Sequence, residues 1–209
     1  ETVLAVTACG SMRKKIVPGH FVFPDQFIDR TSKRIMTFFD GSDVKHTSMG
    51  NPFSTDIRTC LVKTCKSLGF KYHNGGTIIT IEGPRFSTKA ESIMFRSWGC
   101  DIINMSTVPE IILARELDIK YQSIAMSTDY DCWHEDHDNV SVEAVIQLVG
   151  ENAAQARSLV TVLAAGFHAR RAECSGGCDR ALENAVMTTP EARDSALTAK
   201  LEVVAGRVL

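Results

Sequence analysis

The sequence predicts an α/β domain, in which a sheet is combined with crossover helices. Short segments rich in β-branched and apolar residues alternate with segments whose apolar residues recur at helical spacing. A chain of 209 residues, 44% of them hydrophobic and 23% charged, is long enough to bury one such core. We expect the domain to cover residues 1–165. Residues 166–209, which contain no aromatic residue after Phe167, are expected to form a divergent tail.

Five segments have the composition of β-strands. They are residues 2–7, 20–28, 77–81, 101–105 and 119–127, the last of which runs directly into Asp129. Pro24 interrupts the second segment and predicts an edge strand or a bulge, because proline has no N–H group to donate to a neighbouring strand. Residues 29–53, which include His46, predict a loop of a length that is more often functional than structural.

Helices are predicted between these strands, over residues 55–68, 88–98, 107–117 and 142–163. Ser54 is a suitable N-cap for the first of them. Thr88 and Glu91 have the spacing of a capping box, and the same spacing recurs at Thr107 and Glu110. The alternation of strand and helix favours crossover connections in a sheet that is at least partly parallel.

Charge, hydropathy and cysteine content narrow the class of protein. The net charge of −2 and the pI near 6.3 give no support for a nucleic-acid or membrane partner. No apolar run is long enough to span a bilayer, and no signal segment precedes the first strand. The seven cysteines are odd in number and lie mostly in apolar segments, so we expect reduced thiols and a cytoplasmic location.

The polar side chains that follow the predicted strands indicate a common site. Thr7, Ser87, Ser106 and Asp129 all come at or near the end of a strand-like segment, and ligands of open α/β sheets bind beyond the carboxyl ends of strands. Asp129 and Asp131 could together hold a heterocycle that presents hydrogen-bond donors. On spacing alone, the alternative role of these two aspartates is to cap the next element.

Residues 129–138 are rich in metal-binding side chains, but their pattern does not predict a metal site. The stretch lacks the glycine of a calcium loop and the paired spacing of a zinc site. The Cys174 and Cys178 pair also has an unusual spacing for zinc and no second pair to complete it. We therefore expect no bound metal.

Five motifs together carry a family resemblance. They are Thr7–Ser11 (TACGS), Glu82–Ser87 (EGPRFS), Ala90–Ser92 (AES), Asn104–Glu110 (NMSTVPE) and Asp129–Trp133 (DYDCW). In these motifs, and over about residues 2–163, the chain resembles the trimeric purine nucleoside phosphorylase family, and within it the branch that acts on S-methyl-5'-thioadenosine. The resemblance implies a three-layer α/β/α fold with a central mixed sheet.

The resemblance also implies an activity. A pentosyltransferase of this kind would phosphorolyse S-methyl-5'-thioadenosine to adenine and 5-methylthioribose 1-phosphate, in purine and methionine salvage. Inorganic phosphate would be the co-substrate, and no cofactor would be required. The protein would be a homotrimer in the cytoplasm, and in the nucleus as well, without nucleic-acid or membrane partners.

Site residues follow from the resemblance by position. Phosphate would be held by Thr7, Ala8 and Ser106. The purine would be held by Phe86, Ser87, Asp129 and Asp131, with Asp129 as the catalytic group. Ribose and the methylthio end would be contacted by Met105, by His46 from a neighbouring subunit, and by Val142, Val145 and Ile146. Packing against the core is an equal alternative for the last three residues.

Two departures from the family pattern qualify these expectations. The family's opening segment, with a glycine-rich phosphate turn and an Arg–His pair, has no counterpart in this sequence. The residues after about 164 do not match its closing helix. We therefore expect the chain to bind purine weakly and to show little or no phosphorolysis. The alternatives are a phosphorylase of 6-oxopurine nucleosides and a non-catalytic binding or assembly subunit.

Overall fold

The computed structural model describes residues 2–41, 43–134, 142–166 and 174–209. Within these ranges the chain forms a seven-stranded mixed sheet with helices on both faces. The predicted α/β class and three-layer arrangement are confirmed. None of the described helices is long and apolar enough to cross a membrane.

The strands are β1 (Thr2–Ser11), β2 (Phe21–Phe23), β3 (Gln26–Arg30), β4 (Tyr72–Asn74), β5 (Thr77–Ile81), β6 (Ile102–Asn104) and β7 (Lys120–Asp129). Their order across the sheet is β3-β5-β6-β1-β7-β2-β4. β1 is parallel to β7 but antiparallel to β6, so the sheet changes direction at its centre. The short strand β4 was not predicted.

Two ten-residue strands form the centre of the sheet. β1 and β7 pair in parallel from Thr2 and Lys120 onward, and their register shifts between Cys9 and Gly10, so that Gly10 pairs with Asp129. β7 is buried along nearly its whole length, which fits the small and apolar sequence of a strand covered on both faces. The shift brings Asp129 beside a residue without a side chain.

The helices are α1 (Thr55–Leu68), α2 (Lys89–Ser97), α3 (Thr107–Glu116), α4 (Val142–Ala165) and α5 (Ser195–Ala205). Leu61 of α1 and Leu159 of α4 pack with Ile124 of β7 on one face. Ile111 of α3 packs with Ala125 of β7 on the opposite face. Successive strand residues point to opposite faces, so β7 contributes side chains to the cores on both faces of the sheet.

The predicted helix starts are only partly right. Ser54 caps α1, and the Thr88–Glu91 capping box of α2 forms in full. The second capping box, at Thr107 and Glu110, is wrong, because Val108 has an extended conformation inside the first turn of α3. The Glu110 carboxylate instead accepts a hydrogen bond of 2.8 Å from the Tyr121 hydroxyl on β7. A tertiary contact thus replaces the local one.

The segment predicted as one strand over 20–28 becomes two strands in different parts of the sheet. β2 pairs with β7 and β4, whereas β3 pairs with β5 at the far edge. Pro24 lies between them, and its carbonyl accepts a hydrogen bond from the Gln122 side chain. Proline therefore ends pairing here, as its missing N–H predicts.

The tail packs against the long loop that precedes α1. Leu182 and Leu201 form a small core with Phe39, and an isolated antiparallel bridge joins Lys45 to Val186. The expectation of reduced thiols is wrong for Cys174 and Cys178, which form a disulfide. The division of the chain at residue 165 stays a prediction.

Candidate active site

A cleft of about 270 Å³ opens at the centre of the sheet, between β1, β6 and the end of β7. Eight of the predicted site residues line it: Thr7, Ala8, Phe86, Ser87, Met105, Ser106, Asp129 and Asp131. The structure thus brings together residues from four of the five motifs. Their roles in binding stay predictions, whereas their common location is observed.

The geometry that creates this cleft differs from the expected one. Thr7 lies inside β1 and not at its end, because the strand continues to Ser11. β6 pairs with β1 only at Gly10 and Ser11 among the described residues, and it runs in the opposite direction. The chain after Asn104 therefore passes alongside β1 and brings Ser106 to Thr7, with 2.8 Å between their hydroxyl oxygens.

Asp129 is held in a fixed orientation. Its Oδ1 accepts the backbone N–H of Asp131 at 2.7 Å, and its Oδ2 accepts the Thr128 hydroxyl at 2.6 Å. A Cβ atom at Gly10 would lie 2.8 Å from Oδ1, closer than non-bonded carbon and oxygen atoms approach. The carboxylate is therefore clamped between its own loop and the glycine of β1.

Asp131 differs from Asp129 in its environment. It is 6% exposed, and its φ of 52° places the backbone in the left-handed region. Burial raises the pKa of the Asp131 carboxyl above its ordinary value, and the nearby charge of Asp129 also raises it. Asp131 can hold a proton more readily than a solvated aspartate can.

The aspartate loop is anchored from behind. The Trp133 indole N–H donates to the Ser11 carbonyl at 2.7 Å, and the Arg96 guanidinium lies 3.5 Å from the centre of the Trp133 ring. The Cys132 thiol donates to the Ser87 carbonyl at 3.3 Å. These contacts tie the loop to β1 and to the turn before α2, so the two aspartates keep their positions relative to Phe86 and Ser87.

The other end of the cleft consists of neutral polar groups beside an apolar wall. Thr7 and Ser106 present hydroxyls there, and Ala8 lies next to them. Met105 packs against Gly83, where a Cβ atom would lie 2.6 Å from the Met105 sulfur. Gly83 also has a φ of 70°, so its lack of a side chain serves both the turn and the position of Met105.

His46 and Ile146, two of the predicted site residues, do not line the cleft. His46 is exposed, and its backbone N–H donates to the Ala185 carbonyl. Ile146 on α4 is 66% exposed. The side chains of Val142 and Val145 lie outside the described residues. The roles of all four in contacting the methylthio end stay predictions.

Two further polar residues of the cleft, Asn104 and Thr128, were assigned no individual role from the sequence. Asn104 ends β6 and is 6% exposed, and its side-chain amide is within hydrogen-bond distance of four hydroxyls. A buried amide at the end of an apolar strand was a usable signal, since buried polar groups are paired.

Over the described ranges, no group of three or more His, Cys, Asp or Glu side chains could hold a metal ion. Residues 135–138, which belong to the 129–138 stretch rich in metal-binding side chains, lie outside those ranges.

Known proteins resemble this chain in sequence and structure. The chain is 47% identical over 207 residues to an S-methyl-5'-thioadenosine phosphorylase of Cereibacter sphaeroides, and the match covers 99% of this chain and 71% of that protein. Its structure resembles a methylthioadenosine phosphorylase from an antarctic soil metagenomic library, with a TM-score of 0.90, 33% identity, and coverage of 97% of this chain and 71% of that one.

A second solved structure holds a ligand. It is methylthioadenosine phosphorylase from Schistosoma mansoni in complex with adenine, with a TM-score of 0.78, 34% identity, and coverage of 81% of this chain and 66% of that one. The profile of the phosphorylase superfamily matches residues 1–164. With this match over most of its length, and with relatives of this similarity, the chain belongs to the phosphorylase superfamily.

Proposed function

We propose that the protein catalyses the phosphorolysis of S-methyl-5'-thioadenosine to adenine and 5-methylthioribose 1-phosphate. The observation that carries the proposal is one cleft with a carboxylate pair at one end and a hydroxyl pair at the other. A nucleoside fits that polarity, with its purine at the carboxylates and phosphate attacking from the hydroxyl end. The S-methyl-5'-thioadenosine phosphorylases among its relatives support this choice of substrate.

At the purine end, Asp129 and Asp131 meet N7 and the 6-amino group. As the bond from ribose C1' to purine N9 breaks and a phosphate oxygen bonds to C1', negative charge builds on the purine. The protonated Asp129 carboxyl donates its proton to N7 and offsets this charge, which is general acid catalysis. Asp129 is the proposed catalytic group because its two hydrogen bonds fix its orientation. Phe86 and Ser87 line the pocket around the base.

At the other end, Thr7, Ala8 and Ser106 hold phosphate through neutral donors. Met105, packed on Gly83, forms the wall against which the ribose lies. Phosphate is strongly hydrated, so several donors are needed to extract it from water. Phosphate is a co-substrate in this scheme, and no cofactor takes part.

A second candidate is the phosphorolysis of 6-oxopurine nucleosides. The raised pKa of Asp131 favours it, because a protonated carboxyl can donate a hydrogen bond to a 6-oxo group. An ionised Asp131 accepts from a 6-amino group instead. The nucleoside preference therefore depends on the protonation state of this side chain at neutral pH.

We also propose a homotrimer in the cytoplasm, and in the nucleus as well, in which His46 of one copy approaches the methylthio end of the substrate in its neighbour. The exposed position of His46 outside the cleft of its own chain supports this arrangement. Size-exclusion chromatography with multi-angle light scattering measures the mass in solution. A monomer would contradict the trimer.

The activity is tested by adenine release from S-methyl-5'-thioadenosine with and without phosphate, with inosine and guanosine as competing substrates. We expect release that depends on phosphate and a product with the mass of 5-methylthioribose 1-phosphate. The phosphorylase of C. sphaeroides serves as the reference for the rate in the same assay.

Adenine binding without any turnover would favour the binding or assembly subunit. Failure to bind either adenine or S-methyl-5'-thioadenosine, or release that is independent of phosphate, would contradict the proposed function.

A further inference from the structure

The buried side-chain amide of Asn104 lies within hydrogen-bond distance of the Thr7, Ser106 and Thr107 hydroxyls at the phosphate end of the cleft. The Asn104 Nδ2 lies 2.9 Å from the Thr107 hydroxyl oxygen, 3.2 Å from that of Ser106 and 3.4 Å from that of Thr7. On the opposite side, the Asn104 Oδ1 accepts the Thr80 hydroxyl at 3.0 Å. Asn104 is 6% exposed, so these contacts take the place of water.

The hydrogen-bond count fixes the orientation of this amide. An amide nitrogen has two hydrogens to donate, and its oxygen accepts. With the nitrogen towards Thr7, Ser106 and Thr107, both hydrogens have acceptors. A rotation by 180° would leave Thr80 as the acceptor for two hydrogens among the described contacts, and a buried N–H without a partner is costly.

The orientation determines what the two cleft hydroxyls can do. A hydroxyl has one proton and two acceptor lone pairs. The Asn104 Nδ2 has two hydrogens for three nearby oxygens and accepts no hydrogen bond, so neither the Thr7 nor the Ser106 hydroxyl can donate to it, and their protons point elsewhere. The Thr7 proton now has the Ala8 carbonyl at 3.0 Å or the Ser106 oxygen at 2.8 Å as acceptors. An anion is a stronger acceptor than either of them.

We infer that Asn104 is a positioning residue that orients the Thr7 and Ser106 hydroxyls as hydrogen-bond donors towards a phosphate anion. This inference rests on the proposed function and adds to it the group that sets the polarity of the phosphate site. With an acceptor at position 104, the same hydroxyls would donate to that acceptor and present lone pairs to the anion.

The Asn104→Asp variant tests this polarity with almost no change in shape. We expect the Kd and KM for phosphate to rise by about 10- to 100-fold, the range for hydrogen bonds to charged groups. The affinity for adenine, which binds at the other end of the cleft, should change little. Asn74→Asp is the matched control, because it adds the same charge at an exposed position on β4 outside the cleft.

Two measurements separate orientation from a merely structural role. In Asn104→Asp, the phosphate affinity relative to the unaltered protein at the same pH should recover as the pH falls and the carboxyl becomes protonated. Thr80→Val should weaken phosphate binding less than Asn104→Asp does, because the amide stays neutral but loses the hydroxyl that orients it. Urea unfolding checks that each variant is folded.

Calorimetric titration with phosphate and with adenine keeps this inference separate from the proposed activity. Selective loss of phosphate affinity in Asn104→Asp supports the inference even if adenine release is not observed. The inference is overturned if phosphate affinity is unchanged in a folded Asn104→Asp, or if phosphate and adenine affinities fall equally. It is overturned as well if the unaltered protein does not bind phosphate.

Discussion

Replacement of Asp129 by Asn removes the carboxylate with almost no change in volume. In the structure, Oδ1 accepts the fixed backbone N–H of Asp131, while Oδ2 accepts the Thr128 hydroxyl, which can rotate. The amide oxygen of Asn can keep the first bond. The amide nitrogen then faces Thr128, whose proton can turn to the Cys9 carbonyl at 3.2 Å.

The two consequences of Asp129→Asn differ in size. Exchange of one hydrogen bond at Thr128 costs about 1 kcal/mol of folding stability, so the variant should fold. Loss of a positioned general acid costs about 10²- to 10⁴-fold in rate. An Asn amide at position 129 can donate a hydrogen bond to N7 but supplies no proton, and N7 is present in 6-amino- and 6-oxopurines alike, so turnover of both nucleosides should fall.

The assay compares kcat/KM for S-methyl-5'-thioadenosine and inosine in the variant and in the unaltered protein, with urea unfolding as the check on folding. Asp40→Asn, at an exposed position outside the cleft, is the matched control and should leave both values unchanged. Undiminished turnover of S-methyl-5'-thioadenosine by a folded Asp129→Asn would remove Asp129 from the mechanism and refute the proposed role of its hydrogen bonds.

Three further predictions follow from the same geometry. Gly10→Ala places a Cβ atom 2.8 Å from Asp129 Oδ1 and should reduce kcat in the adenine-release assay, whereas Gly150→Ala, with open space around it, should not. Asp131→Asn should raise the free energy of unfolding at pH 7. Because the pKa of Asp131 is raised in the folded state, this side chain contributes its full stability below the ordinary pKa of aspartate, and the contribution is lost as the pH rises. The gain in the free energy of unfolding from Asp131→Asn should therefore vanish when urea unfolding is measured in acid. Thr88→Ala removes the N-cap of α2 and should lower the free energy of unfolding in urea by about 1 kcal/mol, both at pH 7 and in acid. An unchanged unfolding midpoint would contradict the role of Thr88 as a cap.

The sequence determined features that depend on residues close together in the chain. Helix α1 begins after Ser54 and ends before Gly69, as its capping residues and apolar spacing predict. The strand that runs into Asp129 was recognised from its apolar composition. Capping and periodicity act within a few residues, so their outcome can be read from a short window. The motifs likewise identified eight residues that share one cleft.

The tertiary structure decided how distant segments meet. The antiparallel pairing of β6 with β1 places Ser106 beside Thr7 across a separation of 99 residues. The Glu110 carboxylate bonds the Tyr121 hydroxyl and does not form the expected capping box, and burial raises the pKa of the Asp131 carboxyl. Burial and strand pairing depend on which surfaces of the whole chain exclude water from one another, and no local window contains that information.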